Sequence, residues 1–207
     1  MIKTSKWSPL ILLIQMGSVF VHKLNPINAL GGNAAQVDKI GQLTLTENNN
    51  LALASVSARL GNEKACNKHL KALIGDIPGP GRCQLSDPIS GYWMSPDSWM
   101  IIAPHDTHED LASDLKARFA ETASVTEQTD GWCCFDMYGE TLERLIERLC
   151  NINIREMRSG DAYRTSIEHL SCFVLRCDPI DQVRIFGPRS SAGSLHHALV
   201  TIMKAIA

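Results

Sequence analysis

Hydrophobic and polar positions alternate, then change period, several times along the chain. Leu43 and Leu45 alternate with Gln42, Thr44 and Thr46, the pattern of a half-buried strand over 41–47. From Leu51 to Leu60 the alternation resumes, with Leu51, Leu53, Ser55 and Ser57 on one side and Ala52, Ala54, Val56 and Ala58 on the other. The small residues in this run predict close packing against a helix or another subunit. After Gly61-Asn62 the spacing turns helical: Cys66, Leu70, Leu73 and Ile74 form one face, and Gly75 is placed to stop it. Two short apolar runs, 91–94 and 98–102, flank Ser95-Pro96-Asp97 and predict a tight strand pair. Thr107 with Asp110 resembles a capping box opening a helix whose buried side is Leu111, Leu115 and Phe119.

The centre of the chain carries the clearest change of period. Residues 124–128 alternate, Asp130-Gly131 supplies a turn, and 132–138 form a second extended run, so the region predicts a hairpin. Beyond Gly139 the stripe Leu142, Leu145, Ile146, Leu149 and Cys150 marks a docked helix with Thr141 as its N-cap candidate. Further on, 164–176 reads as one long strand and 182–186 as its partner. Ser190 or Ser191 caps a last helix with Leu195, Leu199, Ile202 and Met203 on its buried face. Strands thus come in adjacent pairs separated by single helices. That order predicts an α+β fold of antiparallel sheets with helices packed on one side, arranged as two related halves.

Composition narrows the class. At 207 residues and 44% hydrophobic content the chain can bury a sizeable core. Twenty basic against twenty-two acidic residues leave a formal charge of −2, with no long basic cluster, which argues against nucleic acid as a partner. The seven cysteines are irregularly spaced and form no CxxC, so they read as free thiols in a reducing cytosol. Residues 10–21 form an apolar run behind Lys3 and Lys6, too short to span a membrane and without a small-x-small cleavage site, so 1–25 reads as an N-terminal extension. An exported chain that loses this segment is the alternative.

Candidate chemistry is sparse. There is no dinucleotide fingerprint and no P-loop. His105 and His108 stand among Asp106, Glu109 and Asp110, but acidic residues in a first helical turn complement the helix dipole without a metal. Cys133 and Cys134 split across a strand as buried thiols. Glu168 and His169, read as strand neighbours, point to opposite faces. His196 and His197 divide between the core and solvent sides of the last helix, and Trp93, Trp99 and Trp132 are core or interface anchors. Arg189, just ahead of a helix start, and Arg164 are the two candidates for holding an anion or a partner's carboxylate. No catalytic, cofactor-binding or metal-binding residue emerges.

Several segments carry a family resemblance: NPINALGG, LALASVSARLG, PGPGR, SPDSWMIIAPHDTHEDLASDLKARF, TEQTDGWCCFDMYG, ERLCNINIR, RTSIEHLSCFVLR and GPRSSAGSLHHAL. Together they resemble the gamma subunit of heterotetrameric sarcosine oxidase over 26–207. The resemblance implies a fold similar to the folate-binding domains of the glycine-cleavage T-protein, and an assembly role beside alpha, beta and delta subunits in a cytoplasmic complex. It implies that the other chains hold FAD, FMN, NAD and zinc, and that this chain binds none of them. The complex would convert sarcosine, oxygen and tetrahydrofolate into glycine, hydrogen peroxide and 5,10-methylenetetrahydrofolate. A free-standing folate-binding protein of the same fold is the alternative. It would need an anion-reading pocket, for which Arg189 and Arg164 are the candidates.

Overall fold

A computed structural model describes residues 26–179 and 181–207; the apolar run at 10–21 lies outside them. Eleven strands and four α-helices follow one another as β1 (Val37–Ile40), β2 (Leu43–Glu47), β3 (Leu51–Ala58), α1 (Glu63–Ile74), β4 (Cys83–Gln84), β5 (Ser90–Ser95), β6 (Ser98–Pro104), α2 (Leu111–Phe119), β7 (Ala123–Glu127), β8 (Trp132–Gly139), α3 (Leu142–Leu149), β9 (Ala162–Ile167), β10 (Leu170–Arg176), β11 (Gln182–Pro188) and α4 (Ala192–Ile206) among the described residues. They make two antiparallel sheets, of order β4-β5-β6-β3-β7 and β9-β10-β11-β8-β2-β1.

The periodicities explain the layers. Ala52, Ala54 and Val56 of β3 meet Cys66 and Leu70 of α1 and Leu111, Leu115 and Phe119 of α2, so the small-residue face admits helices. Leu43 and Leu45 of β2 and Phe135 and Met137 of β8 meet Leu142, Leu145 and Ile146 of α3 and Leu195, Leu199 and Met203 of α4. Burying each of these large side chains contributes about 1.5–3 kcal/mol. The opposite faces of the sheets meet each other through Leu53, Tyr92, Met100, Phe173 and Phe186. Each sheet therefore has helices on one face and the other sheet on its second face, giving layers in the order α, β, β, α.

The two halves share one connectivity. In the first, β3-α1-β4-β5-β6-α2-β7 builds the sheet β4-β5-β6-β3-β7. In the second, β8-α3-β9-β10-β11-α4 builds β9-β10-β11-β8, and β2, from ahead of the first half, fills the place that β7 holds there. Each half thus has the strands and helices of a βαββαβ unit with an added edge strand, the second taking its last strand, β2, from ahead of the first half. The added edges, β4 and β9, meet through the Arg82–Asp161 bridge, with Cys83 N–H donating to the Gly160 carbonyl at 2.8 Å and Ala162 N–H to the Gly81 carbonyl at 2.9 Å.

Four local expectations are corrected. Asp130-Gly131 does not close a hairpin: residues 129–131 form a single 3₁₀ turn that carries the chain from β7, the edge of one sheet, to β8 in the middle of the other. Thr129 Oγ1 pins this crossing by accepting from Leu53 N–H at 3.0 Å. The run 164–176 is two strands, because Glu168 and His169 take positive φ of 48° and 65° and fold it into a two-residue hairpin with Ile167 opposite Leu170. They sit at a turn, not on opposite faces of a strand. Thr107 does not cap α2; Asp110 takes the N-cap position, while the Thr107 hydroxyl donates to the Pro104 carbonyl at 3.3 Å. Thr141 and Ser191 do stand at the N-cap positions of α3 and α4, but neither makes a side-chain cap bond.

Candidate functional site

Two clefts open beside the β2–β3 connection, Asn48 to Asn50. The first, of about 310 Å³, is lined by Asn28, Asn48, His105, Thr129, Trp132 and Arg189 among others. Its rim is clamped by Glu47, a buried carboxylate that accepts Leu30 N–H at 3.0 Å and Gln36 N–H at 3.2 Å. Arg189 Nη2 donates to the Ile27 carbonyl at 2.7 Å, and its Nη1 lies 3.9 Å from Asp130 Oδ1. Asn28 Oδ1 accepts from Asn49 Nδ2 at 2.9 Å, while Asn28 Nδ2 is buried without a partner among the described residues.

The second cleft, of about 450 Å³, is lined by Arg184 from one sheet and by Ser90 and Ile102 from the other. Arg184 of β11 stands directly opposite Asp136 of β8. Its Nε and Nη2 donate to the two carboxylate oxygens at 2.7 and 3.0 Å, and Asn48 Nδ2 adds a bond to Asp136 Oδ2 at 2.7 Å. Burial works against the Arg184 charge, but the hydrogen bonds to Asp136, followed by the charges of Cys134, Asp136 and Cys177, more than offset it and hold the guanidinium pKa above its ordinary value.

The two arginines singled out in the sequence are not brought together. Arg189 lines the first cleft, engaged within the chain as described. Arg164 lines neither: on β9 it donates from Nε to Ser171 Oγ at 2.9 Å and lies 5.8 Å from the centre of the Phe173 ring. Of the histidines, His105 reaches the first cleft, and His108 Nδ1 lies 2.9 Å from the Thr107 hydroxyl. No group of three His, Cys, Asp or Glu side chains suited to a metal occurs among the described residues. His196 Nε2 lies 2.7 Å from Asp38 Oδ2, which ties α4 to β1, and His197 is exposed.

Cys133 and Cys134 point into different layers, as expected. Burial, the largest cause, pushes Cys66 and Cys133 up to about 11 and Cys83 and Cys172 up to about 12, so these thiols are neutral at ordinary pH and poor nucleophiles. The Arg184–Asp136 pair is the feature that sequence reading missed. The one available signal was a charged residue in the middle of each of two otherwise apolar strands.

The connectivity first defines a class, a four-layer α+β sandwich of two βαββαβ halves. Glycine cleavage system aminomethyltransferase T from Bartonella henselae shares the fold, with a TM-score of 0.59 and 12% identity over 78% of this chain and 46% of that one. This chain therefore spans about half the length of that protein. A chain in the structure of heterotetrameric sarcosine oxidase from Corynebacterium sp. U-96 in complex with pyrrole 2-carboxylate is similar over 82% of this chain and 88% of its own, with a TM-score of 0.69 and 18% identity. The fold of this protein is thus that of the T-protein and of a sarcosine oxidase chain. No family model and no curated protein matches the sequence. No described helix is long and apolar enough to cross a membrane.

Proposed function

We propose that this chain is the gamma subunit of a heterotetrameric sarcosine oxidase, serving assembly with alpha, beta and delta chains in the cytoplasm and carrying no active site of its own. The observation that carries the reading is the likeness to a sarcosine oxidase chain over 82% of this protein and 88% of that one, which is agreement in extent as well as in topology. The resemblance of the sequence segments points the same way. In this reading FAD, FMN, NAD and zinc sit on the other subunits, which carry the oxidation of sarcosine and the transfer of its one-carbon unit to tetrahydrofolate.

The competing reading, a free-standing folate-binding protein, rests on the Arg189 cleft. Arg189 is weak support for it, because one edge of its guanidinium already serves the Ile27 carbonyl. Affinity purification of the tagged chain from its native cells tests both. A yellow assembly with three further chains that oxidises sarcosine is the expected result. A colourless monomer that binds reduced folate overturns the proposal.

A further inference from the structure

Among the described residues the inter-sheet cleft has a single charged lining residue, Arg184, and no acidic one. Asp136 takes one edge of the guanidinium through Nε and Nη2, leaving Nη1 without a partner among the described residues. The pair is mostly sheltered, with side-chain exposures of 23% for Arg184 and 15% for Asp136. Rotation of the arginine is thus already restricted before any ligand arrives, which lowers the entropic cost of using its free edge. Leu51, Ile102 and Pro88 supply apolar lining, and Ser90 and Asn50 add polar groups to it. Asn50 Oδ1 is occupied by the Asp106 N–H at 3.0 Å and its backbone N–H donates to Asn48 Oδ1 at 3.2 Å, while its side-chain Nδ2 has no bond within the described chain.

We propose that this cleft binds a small organic monocarboxylate, with the carboxylate on the free edge of Arg184 and the apolar body against Leu51 and Ile102. The electrostatics select the class. Arg184 and Asp136 together are close to neutral, so a bare inorganic anion gains little and leaves the apolar lining uncovered. A dianion brings a second charge towards Asp136. A monoanion with an apolar body uses both halves of the site: a charge-assisted bond at one end and apolar burial at the other. A neutral amide of the same shape retains the burial and loses the ionic bond.

Benzoate and its neutral isostere benzamide separate these contributions, titrated into the full chain by calorimetry with chemical-shift mapping. Benzoate is expected to saturate and to bind at least about tenfold more tightly than benzamide. Arg184→Met should abolish that preference. Ser90→Leu, which lies opposite Ile102 in the β5–β6 register and fills the cleft while leaving the ion pair intact, should block both ligands. Arg189→Met, in the other cleft, should change neither. Equal affinity for the two ligands, no saturable benzoate binding up to about 10 mM, or unaltered binding in Ser90→Leu overturns the proposal. Where Arg184→Met fails to fold because Asp136 loses its partner, Ser90→Leu decides. The measurement uses this chain alone, so its result is independent of whether the chain assembles with other subunits.

Discussion

Gly187 of β11 lies beneath α4 at a point where the sheet leaves no room for a side chain. A Cβ added there would stand 2.5 Å from Leu195 Cδ2, 3.4 Å from Cys172 Sγ and 3.7 Å from Cys133 Sγ. Ordinary contact begins near 3.4 Å, so Leu195 must retreat by about 1 Å. It is fully buried and cannot turn into solvent. Overpacking of this kind costs about 1–3 kcal/mol. Replacing glycine also restricts the unfolded chain, which stabilises by about 0.4–1 kcal/mol. Gly187→Ala should therefore destabilise by about 1–2 kcal/mol, lowering Tm by about 2–8 °C for a chain of this size. Gly193 is the matching control: in the first turn of α4 a Cβ meets nothing within 4 Å, and with the exposed His197 it lines an open groove on the outer side of the helix. Gly193→Ala should stabilise, by up to about 1 kcal/mol. Thermal and urea unfolding of the purified chain read both values. A double-mutant cycle makes the reasoning specific: once Leu195→Ala has removed the obstructing methyls, adding Gly187→Ala should cost nothing further. If Gly187→Ala is as stable as the parent, or costs the same with and without Leu195, the packing argument is wrong.

Two further outcomes follow from local features. The β9–β10 turn holds Glu168 and His169 in a left-handed conformation that L side chains adopt at a cost, so replacing the two by Asn-Gly should stabilise by about 1 kcal/mol, read as a higher urea midpoint; a lower midpoint refutes it. The buried thiols make stability fall at alkaline pH. Their folded pKa values of about 11 to 12 stand above the ordinary 9.0, so the unfolded chain loses protons first and stability is lost as pH rises above 9, by about 1.4 kcal/mol per pH unit for each such thiol. Urea midpoints measured from about pH 7 to 10.5 should be level and then drop, and Cys150, half-buried, should react with a thiol reagent before the six buried cysteines. A flat profile, or simultaneous labelling, contradicts the burial assigned to them.

Elements whose burial repeats with the local period were legible in the sequence. Leu43 and Leu45, the Cys66–Leu70–Ile74 face and the Leu195–Leu199–Met203 face each declare an element without outside help. The β5–β6 pair was legible because Ser95-Pro96-Asp97 is a turn by its own chemistry. Asp130-Gly131 misled because turn residues report that the chain bends, not which sheet receives it. The Glu168-His169 turn was missed because neither residue is a usual choice for positive φ in a two-residue hairpin. β1 and β4, of four and two residues, are too short to show a period. The Arg184–Asp136 pair depends on register across two strands 48 residues apart, and nothing local to either residue encodes it.

The place of β2 bears on how the protein is made. A ribosome delivers β2 before any strand of the first half, yet its partner β8 begins only at Trp132, some 85 residues after Glu47, or about 4–17 s later at roughly 5–20 residues per second. The first half acquires all five of its strands in that interval and can close its sheet, while Leu43 and Leu45 wait without a surface to cover them. The strand that completes the second half is therefore synthesised ahead of the first, paired only with β1, and the nascent chain carries its apolar face uncovered until β8 emerges.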